Sequence, residues 1–412
     1  MKLKKENLFY MILVFIFAFQ MLIQQYISVF QYFDEIYALI SIPLIIIAKR
    51  LDKIEIKIII IFFILNIVGI LSSIKYNYQP VEAVLTDMLL INKFFMGIVT
   101  TKILFKKFVY NKEKKMIKNF SECLIILIFI ITLIDIIFNI FPTQYASRLG
   151  LKPIQLFFSH PTVLLYAMLF LLSNFIMFSG EKGIRGKEKL IICLDIFVMC
   201  MTLRTKAFAI AVVVIMLCYY ILIRKKRIKF NKVVIMGVLI FLVSYSQIQF
   251  YFINNKEDSA RAMLLEKSII IAKDHFPLGS GFGTYGSYSS GIYYSPLYYK
   301  YKLSNVHGLQ FYNRSFISDS FWPMILAQFG ILGPILYITF IIVLLKNIQM
   351  IKDLNMYASG TIIIIFLIIA SISESAFVHP LGMAFSLPLG LILGQNKVEF
   401  DYDKEREKNE EK

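Results

Sequence analysis

Residues 275–285 read His275-Phe276-Pro277-Leu278-Gly279-Ser280-Gly281-Phe282-Gly283-Thr284-Tyr285. They lie within residues 254–319, the one long hydrophilic stretch in a chain that otherwise consists of apolar runs. The glycines predict a tight, closely packed loop, because glycine permits backbone conformations and close approaches that a side chain forbids. Although Gly281 to Gly286 match the spacing G-x-G-x-x-G, they follow a helix and a proline instead of a strand, so we do not expect a dinucleotide site.

The composition indicates a polytopic membrane protein. Hydrophobic residues make up 58% of the chain and charged residues 17%, and apolar runs of membrane-spanning length recur. We expect an all-α fold of about twelve transmembrane helices with one large extracytoplasmic loop. The predicted spans are 8–30, 35–48, 56–74, 84–105, 119–141, 159–179, 189–203, 206–223, 232–251, 320–345, 357–373 and 376–395.

The distribution of basic residues predicts the orientation. With the N-terminus inside, the inner connections hold 31 Lys and Arg residues and the outer connections hold 12. This bias follows the positive-inside rule and places both termini in the cytoplasm. The net charge of +17 is then explained by anionic lipid headgroups, without a nucleic-acid partner.

The same pattern divides the chain into four parts. We expect a membrane bundle of about nine helices over 1–251 and a large external loop over 252–319. The last three transmembrane helices follow over 320–395, and 396–412 form a disordered cytoplasmic tail.

Basic residues on the outer side are candidates for binding an anion. Arg148 follows the fifth span, Arg204 and Lys206 lie in a short turn between two spans, and Arg261 begins a predicted loop helix, Ser259 to His275. Guanidinium groups suit phosphate because they bind it in a bidentate geometry. Alternatively, each cation only extends from a helix end to the membrane surface.

The loop helix is predicted to be amphipathic. Ala262, Leu265, Ile269 and Ala272 fall on one face, which suits a helix that lies on the bilayer surface.

Aromatic residues near the loop are candidates for glycan binding. Tyrosine offers a flat apolar face and a hydroxyl, which match the surface of a sugar ring. Aromatic side chains at headgroup level are the alternative interpretation. The candidates are Tyr285, Tyr288, Tyr293, Tyr294 and Trp322.

Asp319 and His307 are the candidate general bases. Asp319 lies just before the tenth span, where it can also cap the helix.

Lys93 lies inside a span, where we expect it to pair with a membrane acid. The acids considered for this pair are Asp87, Asp135, Asp195 and Glu374. No external Asp-x-Asp or His/Cys cluster predicts a metal site, and no cofactor is expected.

These motifs together resemble the O-antigen and capsule polysaccharide polymerase (Wzy-type) and O-antigen ligase superfamily. The resemblance covers most of the chain in topology and four places in sequence. These places are Arg148-Leu149-Gly150 with Ser159-His160-Pro161-Thr162, Leu203-Arg204-Thr205-Lys206-Ala207, Arg261 with the run 275–285, and Asp319-Ser320 with residues 326–333. Ligase members commonly carry a histidine where Asp319 stands, which argues against the ligase branch.

The resemblance implies a GT-C-like, metal-independent, inverting glycosyltransferase in the cell membrane. Its donor and acceptor would be oligosaccharides linked to undecaprenyl diphosphate, and a chain-length regulator is a further expected partner. An O-antigen ligase-type transferase is the alternative within the superfamily. A flippase or exporter of the lipid-linked oligosaccharide is the alternative from another class, although no internal repeat supports it.

Overall fold

The computed structural model describes residues 5–48, 51–106, 114–148, 150–180, 186–228 and 259–395. The predicted span 232–251, the start of the external loop at 252–258 and the tail 396–412 lie outside these residues. So does Leu149 of the arginine-glycine motif.

The described part of the chain is helical. Its first nine helices are α1 (Lys5–Tyr26), α2 (Phe33–Leu39), α3 (Ser41–Ile47), α4 (Lys53–Tyr76), α5 (Val81–Leu104), α6 (Lys114–Phe138), α7 (Pro161–Met177), α8 (Gly186–Met201) and α9 (Thr205–Leu217). A 3-10 turn, Ser28–Tyr32, precedes α2, and a π-helical segment, Cys218–Ile223, continues α9.

The remaining helices follow residue 259. They are α10 (Ala260–Asp274), α11 (Tyr288–Ile292), α12 (Pro296–Lys300), α13 (Phe321–Phe329), α14 (Leu332–Gln349), α15 (Leu354–Ser371) and α16 (Pro380–Gln395).

Eight helical segments among the described residues are long and apolar enough to cross a membrane, and α7 and α16 are shorter apolar helices. The prediction of an all-α polytopic membrane protein is confirmed, whereas the count of twelve is not. Helix α7 lies at the centre: every residue from Pro161 to Met177 is buried. It is apolar on all sides, as expected of a helix enclosed by other helices, and it packs against α1, α6, α8 and α15.

The prediction of one continuous span over 320–345 is wrong. The chain breaks at Gly330, which separates the short helix α13 from α14. Gly330 has φ of +59°, and a Cβ there would lie 2.4 Å from the carbonyl oxygen of Pro277. The close approach of the polar loop therefore requires glycine at this position and bends the chain.

The glycine-rich run is a buried wedge that fixes the polar loop to the membrane bundle. The amides of Ser280 and Gly281 donate to the carbonyls of Ala327 and Gln328 in α13, at 2.9 Å each. On the opposite side, the amide of Phe282 donates to Ser73 Oγ in α4 at 2.9 Å. The prediction of a tight, closely packed loop is confirmed.

Phe282 and Gly283 complete this wedge. The Phe282 ring is fully buried, and a Cβ on Gly69 of α4 would lie 2.3 Å from it. The amide of Gly283 donates to Asp87 Oδ2 in α5 at 2.7 Å. Asp87 therefore binds the loop, which explains one acid inside a span.

The prediction that Lys93 pairs with Asp87, Asp135, Asp195 or Glu374 is wrong. Lys93 in α5 pairs with Asp34 at 2.5 Å and with Glu35 at 2.9 Å, both in α2. Gln20 of α1 also donates to Asp34, so the buried ion pairs join α1, α2 and α5. Pairing and hydrogen bonding are the conditions under which buried charges are tolerated.

The loop has a small core of its own, centred on α10. Ser259 caps α10 by accepting from the Ala262 amide, so the predicted helix start is confirmed. The helix buries Leu264 and Ile271 and exposes Leu265 and Ile269. Contact of the exposed face with a bilayer stays a prediction.

Candidate active site

Arg204 lies where the ends of several helices meet. It precedes α9, in a turn made possible by Leu203, whose φ is +52°. Its Nη2 is 3.0 Å from His160 Nε2, and its Cζ is 4.8 Å from the centre of the Tyr145 ring. Arg148 reaches the same turn, since its Nη1 donates to the Leu203 carbonyl at 3.3 Å. Two of the predicted diphosphate-binding arginines are therefore neighbours.

His160 caps the first turn of α7, and this contact favours one position for the hydrogen on its ring. Its Nδ1 accepts from the Thr162 amide at 3.0 Å, so a neutral ring carries its hydrogen on Nε2. Burial, with the charge of Arg204 second, lowers the pKa of His160 to about 4, which keeps the ring neutral at pH 7. Arg204 is only a donor, so its 3.0 Å contact with Nε2 also calls for an acceptor there, whereas a neutral imidazole accepts at only one of its two nitrogens. An anionic oxygen beside both groups would accept from Arg204 and from the ring N–H.

Lys206 forms an ion pair with Glu374, the residue in the short connection between α15 and α16. The hydroxyl of Tyr166 donates to the other carboxylate oxygen of Glu374 at 3.1 Å. Burial acts to raise the pKa of Glu374, but Lys206 and the hydrogen bonds outweigh it and the pKa is lowered. Glu374 is therefore ionised and holds Lys206 in place.

Arg261 and Asp319 form a second ion pair, with 3.0 Å between Nη2 and Oδ2. Their side chains are 26% and 27% exposed, so both are accessible. Burial raises the pKa of Asp319, and Arg261 offsets only part of this effect. The predicted role of Asp319 as a helix cap is wrong, because Ser320 occupies that position in α13.

The two ion pairs belong to one group. Ser375, next to Glu374, donates to the carbonyl of Ser318 at 2.7 Å, next to Asp319. The charges of Lys206 and Glu374 also act on Asp319. We call the following residues the charged cluster: His160, Arg204, Lys206, Arg261, Asp319 and Glu374. Three cations and two carboxylates give it a positive net charge, which favours an anionic ligand.

Other predicted site residues lie elsewhere. His307 is exposed, and its Nε2 is 3.2 Å from the Asn313 amide nitrogen, within the loop. Tyr285 and Tyr294 are buried, with their hydroxyls donating to the carbonyls of Leu264 and Leu309. We therefore correct their role to packing, because a buried ring cannot stack on a sugar.

The remaining aromatic candidates are accessible or half-buried. Tyr288 is 62% exposed and Tyr293 is 43% exposed. Trp322 is half-buried in α13, and its Nε1 donates to Ser371 Oγ at 3.0 Å, near the connection that carries Glu374.

Sequence reasoning missed His160, Tyr145 and Glu374 as members of this site. Glu374 was considered only as a membrane acid, although it interrupts an apolar run between two serines. His160 was named only as part of the motif 159–162, before a proline at a helix start, and was not a candidate site residue. Among the described residues, no group of three or more His, Cys, Asp or Glu side chains is arranged to hold a metal ion.

Comparison with known proteins supports the resemblance seen in the sequence. Residues 190–338 match a family model described as O-Antigen ligase. The matched segment contains Arg204, Lys206, Arg261 and Asp319, whereas His160 and Glu374 lie outside it. No curated protein matches the chain. The match shows that residues 190–338 are similar to this family, and the many apolar helices show a polytopic membrane protein.

Proposed function

We propose that this protein is a polysaccharide polymerase. It joins oligosaccharide repeat units linked to undecaprenyl diphosphate at the outer face of the cytoplasmic membrane, and it releases undecaprenyl diphosphate. The observation that carries the proposal is the charged cluster, in which Arg204, Lys206 and Arg261 meet two carboxylates at one end of the helix bundle.

The reaction first requires that the negative charge on the departing diphosphate is stabilised, and the cations supply this stabilisation. When the bond between the anomeric carbon and the diphosphate breaks, its electron pair passes to a diphosphate oxygen. Arg204 Nη2 and His160 Nε2 lie 3.0 Å apart, and an oxygen beside both nitrogens would accept from both when Nε2 carries the ring hydrogen. Donors held in place before the reaction stabilise such a charge without reorganisation. In this proposal the protein's cations carry the leaving group without a metal ion.

The reaction also requires that the attacking hydroxyl of the acceptor glycan loses its proton, and Asp319 is the base that takes it. A hydroxyl of the acceptor glycan attacks the anomeric carbon and gives its proton to Asp319 as the new bond forms. Burial raises the pKa of Asp319, which strengthens it as a base at neutral pH. Glu374 is a weaker candidate because Lys206 and Tyr166 occupy its oxygens. A single displacement of this kind inverts the configuration at the anomeric carbon.

The ligase is the second candidate, and the description of the matching family model favours it. Asp319 favours the polymerase, since the resemblance associates a histidine at this position with ligases. A polymerase accepts another lipid-linked repeat unit, whereas a ligase transfers the finished glycan to a different lipid.

Reconstitution tests the proposal. The purified protein in liposomes receives a lipid-linked repeat unit, and the products are separated on a gel. A ladder of products supports the polymerase, a single transfer supports the ligase, and movement of lipid without new bonds supports a flippase. Asp319→Asn should abolish the ladder. Asp274→Asn is its matched control, because this loop carboxylate accepts from the Tyr301 hydroxyl at 2.7 Å and does not belong to the charged cluster.

A further inference from the structure

A small, open cavity lies in the connection between α6 and α7. Its volume is about 230 Å³. Its lining residues come from one stretch of chain and are Asn139, Pro142, Thr143, Tyr145, Ser147 and Lys152. None of them belongs to the charged cluster.

Tyr145 is the wall between this cavity and the charged cluster. Its ring packs edge-on against His160, with 4.7 Å between ring centres, and lies 4.8 Å from Arg204 Cζ. The side chain that lines the cavity is therefore in direct contact with both donors proposed to bind the diphosphate. A ligand in the cavity would be the immediate neighbour of an anion held by Arg204.

The floor of the cavity is held in place by hydrogen bonds. Lys152 Nζ donates to the side-chain oxygen of Asn139 and to the Phe141 carbonyl, the latter at 2.6 Å. The Tyr145 amide donates to Thr143 Oγ1 at 3.3 Å. A fixed lining loses little conformational entropy when it binds a ligand.

The size and chemistry of the cavity select a single sugar ring. Sites for drug-sized ligands have volumes of about 300–1,000 Å³, so this cavity has room for about one sugar ring, and its open side leaves the rest of a glycan outside. Tyr145 supplies a flat apolar surface, while Thr143 and Ser147 supply hydroxyls that both donate and accept. This combination matches a pyranose, which is apolar on its faces and polar at its rim.

We infer that this cavity binds the sugar attached directly to the diphosphate of the donor. The inference rests on the proposed function, because it places that sugar beside the anion site. Tyr145 then contacts both parts of the donor, the sugar with its ring surface and the diphosphate through Arg204 and His160.

A pair of binding measurements tests the site. The protein in nanodiscs is titrated with undecaprenyl diphosphate alone and with undecaprenyl diphosphate that carries one glucose, galactose or N-acetylglucosamine. At least one sugar-bearing lipid should bind the wild type about tenfold more tightly than the bare lipid, a difference of about 1.4 kcal/mol. Ser147→Phe fills the cavity and should remove this difference, while its affinity for the bare lipid stays within about twofold.

Ala146→Phe is the matched control. Ala146 is the exposed neighbour of Ser147 and does not line the cavity, so this variant should keep the preference for the sugar. Thr143→Val removes one hydroxyl and should reduce the preference without blocking the space. The inference is overturned if the wild type binds bare and sugar-bearing lipids equally, or if Ser147→Phe keeps the preference. Failure of the wild type to bind the bare lipid would instead refute the diphosphate site.

Discussion

Replacement of Arg261 by alanine tests the charged cluster most directly. The change removes the cation that faces Asp319 at 3.0 Å. Two effects are expected. In the proposed reaction the leaving diphosphate loses one stabilising charge, and Asp319 loses the partner that lowers its pKa.

The change should lower the rate without unfolding the protein. Loss of one preorganised donor to a developing negative charge typically costs about 10²–10³ in rate, or about 3–4 kcal/mol. The ion pair is about three-quarters buried, so its loss should cost more stability than the roughly 1 kcal/mol of an exposed pair and less than the roughly 3–5 kcal/mol of a fully buried one. Because proteins are stable by about 5–15 kcal/mol, the variant should remain folded and inserted. Lost activity would then report on the chemistry.

The assay is polymer synthesis by reconstituted protein, normalised to the amount of inserted protein. Lys267→Ala is the control on the same helix, since Lys267 pairs with Glu266 at 3.0 Å. It should retain activity within about threefold of the wild type, whereas Arg261→Ala should lose at least about a hundredfold. Arg261→Lys should also fail, because a point charge cannot reproduce the guanidinium fork. Normal polymer from Arg261→Ala would refute the role of this cluster.

Two further predictions concern the base and the wedge. The initial rate should fall as the pH is lowered, because Asp319 accepts a proton only when it is ionised. The fall should begin above the ordinary Asp pKa of about 3.9, since burial raises the pKa of this carboxyl. If the folded Arg261→Ala variant retains measurable activity, the acidic limb of its rate–pH profile should lie at higher pH than that of the wild type. An acidic limb at the same pH would exclude Asp319 as the base. Gly281→Ala should lower the melting temperature in detergent, because φ is +95° and the new Cβ would lie 2.7 Å from the Ser73 backbone nitrogen. Gly291→Ala is its control, since its Cβ meets nothing closer than 3.6 Å and stability should be nearly unchanged.

The apolar segments could be predicted from the sequence because hydropathy is a local property. The limits of α4, α5 and α15 agree with the predicted spans to within three residues. The break at Gly330 could not be predicted in this way. It depends on the Pro277 carbonyl, which only the folded chain brings to that glycine.

The site was predictable only in part, for the same reason. The basic residues Arg204, Lys206 and Arg261 stood out because each falls in a connection predicted to lie on the outer side, where positive charge is discouraged. Their partners did not, because Lys206 and Glu374 are separated by 168 residues and spacing carries no information about such a pair. Tyr285 and Tyr294 are buried whereas Tyr288 and Tyr293 are exposed, because a residue type alone does not reveal whether its ring is buried.

The ion pair between Arg261 and Asp319 also limits which parts of the polar loop can be replaced. It joins α10, near the beginning of the polar loop, to the end of that loop, and the loop core between them contains Leu264 of α10 together with Leu297 and Leu303. The segment 287–317 therefore shares its core with the helix that carries Arg261. Exchange of this segment for another sequence would have to keep the residues that pack on α10, because otherwise the exchange would also displace Arg261.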